Sequence, residues 1–296
     1  MVTQQQPKEI AAKGTGLVLL TLASGQFLMT LDSSVMNVSI ATVASDLGTT
    51  VTGIQTAITL YTLVMATLMI TGGKIGAIIG RRRAFSIGCV IYGAGSLTTA
   101  LAPNLGVLLF GWSLLEGIGA VLIMPAIVAL VSGNFPPERR SSAYGLIAAA
   151  GAIAVAVGPL IGGAVTTFAS WRYVFVGEVV IVLVILALAR RIHDAPPTGR
   201  HPLDFVGSIL SVLGLGMAVF GVLRSSEWGW VTPKQDAPQL FGISLVAWLI
   251  LAGLLILWGL FAWETRLERG GKEPLFRPSM FRNRHLVGGL TMFLFQ

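Results

Sequence analysis

Three acidic side chains lie in long apolar stretches of the sequence. Asp32 lies in LMTLDSSVMN, Glu116 in GWSLLEGIGA and Glu178 in YVFVGEVVIV. A carboxylate at the centre of a bilayer costs about 2.5–3.5 kcal/mol, so acidic residues there usually face a bundle interior or a wet cavity. In such a place a carboxyl group can bind either a proton or a cation. The chemistry indicated by these residues is therefore reversible protonation or cation binding.

No lysine or arginine lies deep in the same apolar stretches, so a permanent ion pair within the chain is not expected for these carboxylates. Protonation is the expected way in which they are tolerated. For Asp32 the alternative is a hydrogen bond within its helix or between helices. The polar residues near it in the sequence are Ser33, Ser34 and Asn37. For Glu178 the alternative is a position near the outer headgroups.

The three carboxylates are expected at different depths. Asp32 lies about 15 residues into its apolar stretch, or roughly 22 Å at 1.5 Å per residue, which places it in the outer half of the membrane. Glu116 is expected near the middle of its span and Glu178 early in its own. Trp112 precedes Glu116 by one helical turn. Its aromatic face could bind a cation, or it could pack against lipid or another helix.

The elements that position these residues must be membrane-spanning helices. The chain has 296 residues, a hydrophobic content of 54% and only 11% charged residues, with a mean hydropathy of +0.80. A soluble domain carries about 25% charged residues, and the short alternating segments of a membrane barrel are absent. We therefore predict an all-α polytopic membrane protein. The net charge of +7 is assigned to cytoplasmic loops, not to a nucleic-acid partner.

We predict eight complete spans and the start of a ninth. The predicted spans cover residues 15–42, 52–73, 84–103, 105–132, 143–169, 173–189, 204–223 and 239–263. The last apolar stretch begins near Leu286 and is cut off at Gln296, so we expect the chain to be the N-terminal part of a longer one. With the N-terminus inside, 17 of the 20 lysines and arginines lie on the cytoplasmic side. That asymmetry predicts a cytoplasmic N-terminus.

These spans divide the chain into predicted regions. A cytoplasmic tail and a six-helix transmembrane bundle are followed by a Pro- and Gly-containing linker, two additional spans, a cytoplasmic loop and the start of a ninth span. In that order the regions cover residues 1–14, 15–189, 190–203, 204–263, 264–285 and 286–296.

Glycine-rich motifs mark two further candidate regions. In GAIAVAVGPLIGG, Gly158 and Gly162 share a helix face and Pro159 favours a kink, which indicates either close helix packing or a bending point. In GGKIGAIIGRRR, we expect the glycines to permit a tight turn between the second and third spans and the arginines to anchor it to the inner membrane surface. The residues of this loop motif are Gly73, Gly76, Gly80, Arg81, Arg82 and Arg83.

Motifs of the common enzyme classes are missing. The sequence contains no HExxH, no GxSxG and no phosphate-binding GxxxxGK[ST] motif, and its three histidines lie in loops or at a span edge. Its single cysteine, Cys89, excludes an intrachain disulfide and a cysteine-based metal site. The sequence therefore predicts no catalytic residues, no metal and no cofactor.

Taken together, the motifs resemble the major facilitator superfamily, and within it the drug:proton antiporters with 14 spans. LDSSVMNVSIATVASDL resembles the first-span motif LDxTVVNVALP, and Tyr61 matches a second-span tyrosine. GKIGAIIGRRR resembles the loop motif GKLGDRFGRRR, and WRYVF resembles the WRWIF that follows span five. The antiporter motif of span five is matched by Gly158, Pro159, Gly162 and Gly163. The resemblance implies a six-helix bundle, two linker spans and a truncated ninth span.

Two departures from the family pattern bear on function. The aspartate of the loop motif, which resembles a conformational latch, is replaced by Ala77. In span four the pattern RxxQG reads from Ser113 to Gly117, so that Ser113 replaces an arginine associated with proton coupling and Glu116 replaces a glutamine. Ser113 and Glu116 are expected on one helix face. We hypothesise that Glu116 itself has taken over the proton-responsive role.

The resemblance implies proton-coupled efflux of amphipathic or cationic drugs by alternating access, in the plasma membrane. The implied partners are a small-molecule substrate, protons and the lipid bilayer. The candidate residues for proton coupling and substrate binding are Asp32, Glu116, Glu178, Asn37, Trp112 and Tyr61.

Three alternatives stay open at this point. The protein could export one specific metabolite or be an uncoupled uniporter. It could also be a degenerate, non-transporting membrane protein that acts as a sensor or partner, as the loss of the aspartate at Ala77 and the arginine at Ser113 would allow. Finally, the 296-residue piece could be inactive by itself, because it lacks a second bundle.

Overall fold

The computed structural model describes residues 6–194 and 203–294, and these form a helical, multi-pass membrane protein. The helices are α1 Gln6–Asp46, α2 Val51–Ile79, α3 Arg81–Ala100, α4 Leu105–Leu108, a π-helical segment Leu109–Glu116, α5 Gly117–Asn134, α6 Pro137–Phe168, α7 Arg172–Ala189, α8 Phe205–Trp228, α9 Leu245–Arg269 and α10 Arg284–Leu294. A short hairpin pairs β1 Gln239–Leu240 with β2 Ile243–Ser244, and a 3-10 turn covers Pro278–Arg282.

Seven helices within the described residues are long and apolar enough to cross a membrane. One of these is the continuous stretch Leu105–Asn134, which joins α4, the π segment and α5. The prediction of eight complete spans differs at α3. That helix has 20 residues, but its arginines and its many small and hydroxyl-bearing residues lower its hydropathy. Half of its residues are buried among neighbouring helices, so less of it has to be apolar enough for lipid.

Some helix ends differ from the predicted span ends. Helix α1 begins at Gln6, nine residues before the predicted span, and Pro7 is tolerated there because it lies in the first helical turn. The predicted span 239–263 begins later, at Leu245, because residues 239–244 form the hairpin. Phe241 and Gly242 turn that hairpin with positive φ angles of 54° and 77°. The predictions for residues 1–5, 195–202 and 295–296 lie outside the described residues.

The chain divides into two compact units. The first consists of Met1–Met65 and Ile75–Gly199, and the second of Ala66–Lys74 and Arg200–Gln296. In the first unit, α1 packs along α6, while α3 packs against the π segment, α5 and α7. The acidic candidates all belong to this unit. Its largest fully buried side chains include Trp112, Tyr92, Phe85 and Phe175.

Glycines bring α3 into backbone contact with the Leu105–Asn134 rod. A Cβ on Gly88 would lie 2.8 Å from the carbonyl oxygen of Gly119, and a Cβ on Gly119 would lie 2.8 Å from that of Gly88. Nearer the N-terminal end of this rod, a Cβ on Gly111 would lie 2.9 Å from the backbone nitrogen of Thr99. Only residues without a side chain permit this approach. The close contact holds α3 beside the segment that carries Glu116.

In the second unit, α8 and α9 form an antiparallel pair. A Cβ on Gly253 would lie 2.7 Å from the carbonyl oxygen of Gly214, so these helices also meet backbone to backbone. At the far end of the pair, Asp204 caps α8 and accepts a hydrogen bond from the indole of Trp263 at 2.9 Å. The buried Glu264 carboxyl group accepts one from the backbone N–H of Leu275 at 2.8 Å. These contacts tie the chain that follows α9 to the helix pair.

Candidate functional site

The three acidic candidates converge in the first unit. Asp32 comes from the middle of α1, Glu116 from the end of the π segment, and Glu178 from the first part of α7. One carboxylate oxygen from each residue lies within 4.8 Å of the other two. All three side chains are at most 1% exposed. We call this group the carboxylate cluster.

The expectation that these residues lie at different depths was wrong. Helix α1 extends to Asp46, four residues beyond the predicted end of the first span, so Asp32 lies deeper than expected. The Glu178 side chain is buried within the unit and accepts a hydrogen bond from Ser96 of α3. The helices bring all three carboxyl groups to one level of the unit.

The Asp32 carboxylate is held by an aromatic pair. The indole N–H of Trp112 donates to Oδ1 at 2.8 Å and to Oδ2 at 2.9 Å. Tyr61 from α2 stacks on Trp112 with ring centroids 5.1 Å apart and planes 5° apart. One face of the Trp112 ring is thus covered by Tyr61 and is not open to a cation in this conformation. Trp112 interacts with the cluster through the N–H at the edge of its indole ring and not through the ring face.

Hydroxyl groups of α3 surround the other two carboxyl groups. Ser96 donates to Glu178 Oε2 at 3.0 Å, and Thr99 donates to Glu116 Oε1 at 3.5 Å. The second oxygens, Glu116 Oε2 and Glu178 Oε1, have no hydrogen-bond partner among the described residues. The hydroxyl of the fully buried Tyr92 lies beside the carboxyl groups of Asp32 and Glu116. The cluster therefore has more acceptor oxygens than donors.

Among the described residues, no basic side chain balances this group. The ion pairs between described residues involve none of the three carboxyl groups. Three ionised carboxylates this close together in an apolar surrounding would repel one another and lose their hydration. The arrangement is therefore suited to binding positive charge from outside the protein, either as protons or as a cation.

The π-helical turn changes which way the span-four residues point. The expectation that Ser113 and Glu116 share one helix face was wrong, because the wider π turn separates them. The Ser113 hydroxyl donates to the carbonyl oxygen of Ala57 on α2 at 2.8 Å. Glu116 instead lies against α3, close to Gly95 and Thr99. The π segment directs Glu116 into the cluster while Ser113 joins the rod to α2.

Asn37 is not brought to the cluster. Its side chain is exposed, and its amide donates to the carbonyl oxygen of Ser33 at 2.8 Å, one turn back along α1. Among the six residues proposed for coupling and binding, the structure therefore gathers the three acids with Trp112 and Tyr61 and leaves Asn37 outside.

The glycine–proline motif of α6 packs against α1. A Cβ on Gly158 would collide with the Ser34 side chain, and one on Gly162 would lie 2.9 Å from a Val35 methyl carbon. Pro159 has no N–H to donate to the carbonyl oxygen of Val155, one turn earlier. The Ser34 hydroxyl donates to that oxygen at 3.3 Å.

Two members of this motif do not take part in the contact. Pro159 itself is exposed, and a Cβ on Gly163 would meet nothing within 4 Å. The motif thus joins α6 to α1 on the Gly158 and Gly162 face, two residues along α1 from Asp32.

The loop motif is more helical than expected. Gly73 and Gly76 lie within α2, and Gly80 alone makes the turn, with φ 103° and ψ 139°. The expectation that all three glycines form the turn was wrong, since the apolar residues between them continue the helix. A Cβ on Gly76 would lie 3.3 Å from the Cβ of Ala84, so this glycine permits close approach of α2 and α3.

The motif arginines differ in their contacts. Arg82 donates from its backbone N–H to Asp194 at 3.1 Å and from its guanidinium to the carbonyl oxygen of Ile192 at 3.2 Å. Arg83 is exposed, and Arg81 is partly buried. The start of α3 is therefore tied to the segment that follows α7.

In the second unit, Lys74 of the same motif forms an ion pair with Glu273 at 2.9 Å and donates to the carbonyl oxygen of Pro274 at 3.0 Å. The family pattern has an aspartate where this chain has Ala77, and here acidic residues from other parts of the sequence bind the motif. Asp194 does so in the first unit and Glu273 in the second.

Sequence reasoning missed several residues around the cluster. Tyr92, Ser96 and Thr99 recur every three or four residues on α3, and this polar stripe in a predicted span was a readable signal. Asp194 and Glu273 had no such signal. Each is more than a hundred residues from its partner in the loop motif, and only the fold brings them together.

Comparisons with known proteins agree with the fold. The puromycin resistance protein pur8 of Streptomyces alboniger is 32% identical over 268 residues, covering 90% of this chain and 50% of that protein. The cephamycin export protein CmcT of Amycolatopsis lactamdurans is 33% identical over 271 residues, covering 90% and 52%. The methylenomycin A resistance protein of Bacillus subtilis is 29% identical over 277 residues, covering 92% and 56%. The chain spans about half the length of these relatives.

Among solved structures, the peptide transporter POT in complex with sulfate matches with a TM-score of 0.55 and 17% identity, covering 93% of this chain and 74% of that one. The human organic anion transporter MFSD10 matches with a TM-score of 0.52 and 16% identity, covering 85% and 62%. At this identity the likeness concerns the fold. A family model described as Major Facilitator Superfamily matches residues 22–295. The chain therefore belongs to the Major Facilitator Superfamily.

Proposed function

We propose that the protein exports small amphipathic or cationic organic compounds, antibiotics among them, in exchange for protons. The observation that carries this proposal is the carboxylate cluster: three buried acids with no basic partner among the described residues. Support for the class of cargo comes from the relatives, whose names refer to puromycin resistance, cephamycin export and methylenomycin A resistance. Family membership favours transport over catalysis.

Proton exchange would work through the change in water access during alternating access. A carboxyl group sealed from water is favoured in its neutral form, and the same group exposed to water at higher pH releases its proton. Asp32, Glu116 and Glu178 lie on three separate helical segments. Repulsion between ionised carboxylates would favour their separation, whereas protonation would favour the closed packing described here. Proton binding is thereby coupled to the arrangement of α1, α7 and the π segment.

Glu116 is proposed as the proton-responsive group of the Leu105–Asn134 stretch. Asp32 is proposed to take part in proton coupling and to bind the positive charge of a cationic cargo. Glu116 has one oxygen without a partner, whereas both Asp32 oxygens accept from Trp112. Ser113 stands where the family pattern has an arginine. This segment therefore lacks a positive side chain that would pair with the Glu116 carboxylate. The contact between α6 and α1 at Gly158 is proposed as the place where the two helices bend or slide during the cycle.

The proposed architecture is that of the 14-span drug:proton antiporters in the plasma membrane. Helices α8 and α9 form a pair of their own after the first six spans, which supports their assignment as the additional linker spans. The excess of lysine and arginine in alternate loops supports a cytoplasmic N-terminus. Under this proposal the six-helix bundle covers residues 15–189 and the additional spans cover residues 204–263.

The test is transport in proteoliposomes that contain the intact protein and carry an imposed pH gradient. Puromycin and a cephamycin are suitable first cargoes because of the relatives' names. The wild type should accumulate cargo only when the gradient is present. Glu116→Gln and Asp32→Asn should abolish this dependence, while Glu138→Gln, which neutralises an exposed acid at the start of α6, should leave it unchanged.

The same assay separates the alternatives. Gradient-dependent transport that is unchanged in Glu116→Gln would show that the proton-responsive role does not lie on that residue. Cargo movement down its own gradient with no response to pH would identify an uncoupled uniporter, which the replacement of the family's arginine by Ser113 favours. Movement of a single compound from a broad panel would indicate a specific exporter. No movement of any compound would favour a non-transporting sensor or partner.

A further inference from the structure

The carboxylate cluster has features that proton exchange alone does not require. A proton needs one acceptor oxygen, and two protonated carboxyl groups can satisfy each other by hydrogen bonds. Here three carboxyl groups converge, yet Glu116 Oε2 and Glu178 Oε1 are buried without a partner. Unpaired buried oxygens of this kind are unfavourable unless a further group binds them. A cation bound by the three residues would offer these carboxyl groups the positive partner that the described residues do not supply.

A second observation comes from Tyr92, which is not part of the acidic group. Its side chain is fully buried, and its hydroxyl has no hydrogen bond of normal geometry within the described residues. That hydroxyl lies beside the carboxyl groups of Asp32 and Glu116. A hydroxyl oxygen can serve as a ligand to a hard cation through its lone pairs. The cluster thus offers a fourth oxygen from an independent helix position.

The spacing of the oxygens sets an upper limit on their distances to a bound cation. Because one oxygen from each acid lies within 4.8 Å of the others, a central ion would lie about 2.8 Å or less from all three. Calcium prefers oxygens at about 2.3–2.6 Å, whereas magnesium demands about 2.0–2.1 Å and near-ideal octahedral geometry. The three acids lie on three separate helical segments, so magnesium would require all three segments to adjust together to its shorter distance and stricter geometry.

We propose that Asp32, Glu116 and Glu178 form a binding site for a divalent cation of calcium size, with the Tyr92 hydroxyl as a further ligand. A divalent cation neutralises two carboxylates, and one proton retained by the third leaves the site neutral in its apolar surrounding. The donor set consists of oxygens only, which selects hard cations over zinc or copper. Trp112 fixes the orientation of Asp32 through its two hydrogen bonds, as outer-shell donors do in metal sites.

Protons and the cation compete for the same oxygens, so cation binding should weaken as the pH falls. Within the part of the chain that the structure describes, the titratable groups beside the three acids are the hydroxyls of Tyr61 and Tyr92, and neither is basic. This inference rests on the proposed function for one point only, the conformational change that opens the buried cluster to water.

The experiment is equilibrium binding of radioactive calcium to the intact protein in nanodiscs of phosphatidylcholine, a lipid without net charge. At mildly alkaline pH we expect saturable binding of one calcium ion per protein. Glu178→Gln should weaken it by at least about tenfold, as expected for the loss of one carboxylate ligand. Glu178→Asp, which keeps the carboxylate, should bind more tightly than Glu178→Gln. Excess magnesium should displace calcium poorly.

Glu138→Gln is the matched control, because it removes an exposed acid remote from the cluster and should bind calcium as the wild type does. If Glu178→Gln fails to elute as a folded monodisperse species, Tyr92→Phe takes its place and should weaken binding several-fold. Absence of saturable binding to the wild type would overturn the proposal. So would equal affinities in wild type and Glu178→Gln, or displacement by magnesium as effective as that by calcium.

The outcomes distinguish this inference from the proposed function. Binding is measured with no gradient and no cargo, whereas the proposed function is measured by gradient-dependent transport. Proton-driven transport without calcium binding would contradict the cation site and support the proposed proton exchange. Calcium binding without proton-driven transport would contradict the proposed exchange and support the cation site.

Discussion

Helix α1 carries two aspartates whose surroundings differ in charge and in exposure to water. Asp32 and Asp46 each accept a hydrogen bond from a tryptophan indole, from Trp112 at 2.8 Å and from Trp171 at 3.0 Å. Only Asp46 has an arginine as well. Arg172 pairs with its carboxylate and lies 4.4 Å from the centroid of the Trp171 ring. The Asp46 side chain is 45% exposed, whereas Asp32 is 1% exposed.

The difference shows how one helix can hold a fixed charge and an exchangeable one. At the end of α1, water and Arg172 stabilise an ionised Asp46, so no other ion is needed there. In the bundle, Asp32 has hydrogen-bond donors but neither water nor a basic side chain among the described residues. Its negative charge has to be balanced by something that can enter and leave. An indole alone orients a carboxylate; the arginine decides whether its charge is permanent.

Asp32 lies in a tightly packed cluster, whereas Asp46 is partly exposed. Gly95→Ala tests the packing of that cluster, and we expect it to cause the largest loss of stability. A Cβ at Gly95 would lie 2.6 Å from Glu116 Cγ and 2.7 Å from the carbonyl oxygen of Gly111. Because backbone cannot move aside as a flexible side chain can, we expect the free energy of unfolding to fall by about 3 kcal/mol, near the top of the range for over-packed cores. Denaturant unfolding in detergent measures it.

The control for this change is Gly145→Ala in α6, where a Cβ would meet nothing within 4 Å. It should be neutral or raise the free energy of unfolding by about 0.4–1 kcal/mol, since alanine restricts the unfolded chain. Equal stability of Gly95→Ala and Gly145→Ala would contradict the tight packing around Glu116.

The hydrogen bonds from the two indoles to the two aspartates are tested by replacing each tryptophan with phenylalanine. Trp112→Phe leaves both buried Asp32 oxygens without their donor, so we expect a loss of about 2 kcal/mol. Trp171→Phe leaves Asp46 with Arg172 and water, and we expect a loss at least twofold smaller. Thermal unfolding of both variants in the same detergent makes the comparison. A larger loss for Trp171→Phe would mean that the two aspartates are not held as described.

Much of the fold was readable from the sequence, because the bilayer imposes simple rules. Apolar stretches of membrane length predicted the helices, and the Major Facilitator Superfamily fold implied by the motif resemblance is confirmed by the family model and the structural neighbours. The errors lie where local hydrogen bonds override hydropathy. The hairpin before α9 replaced the start of a span, and α2 continued through Gly73 and Gly76.

The candidate site was only partly readable. Asp32, Glu116 and Glu178 were identified as carboxylates in apolar stretches, but their convergence depends on the angles and offsets of three helices. The π turn, which separates Ser113 from Glu116, has no sequence rule of comparable strength. Tyr92, Ser96 and Thr99 were readable as a stripe but were not singled out, since small polar residues are common in spans that pack closely.

The two aspartates differ in charge balance, so substitutions at the two sites should change stability with different salt dependence. Arg172→Gln removes a half-exposed ion pair, and we expect a loss below about 1 kcal/mol that shrinks as the salt concentration rises. Asp32→Asn acts where salt does not reach, so its effect on stability should be the same at low and high salt. Unfolding midpoints of both variants in the two salt conditions provide the measurement. A salt-dependent effect of Asp32→Asn would indicate that the cluster is open to water.

The smallest effect concerns Ser34, which lies between the two aspartates on α1 and binds a neutral partner. Its hydroxyl donates to the Val155 carbonyl oxygen that Pro159 leaves without a helical donor. Ser34→Ala should cost about 0.6 kcal/mol, the average for hydrogen bonds between membrane helices. In Pro159→Ala the new backbone N–H binds Val155 itself, so there Ser34→Ala should cost nearly nothing. Additive effects in this double-mutant cycle would mean that the contact between α1 and α6 rests on the shape of Gly158 alone.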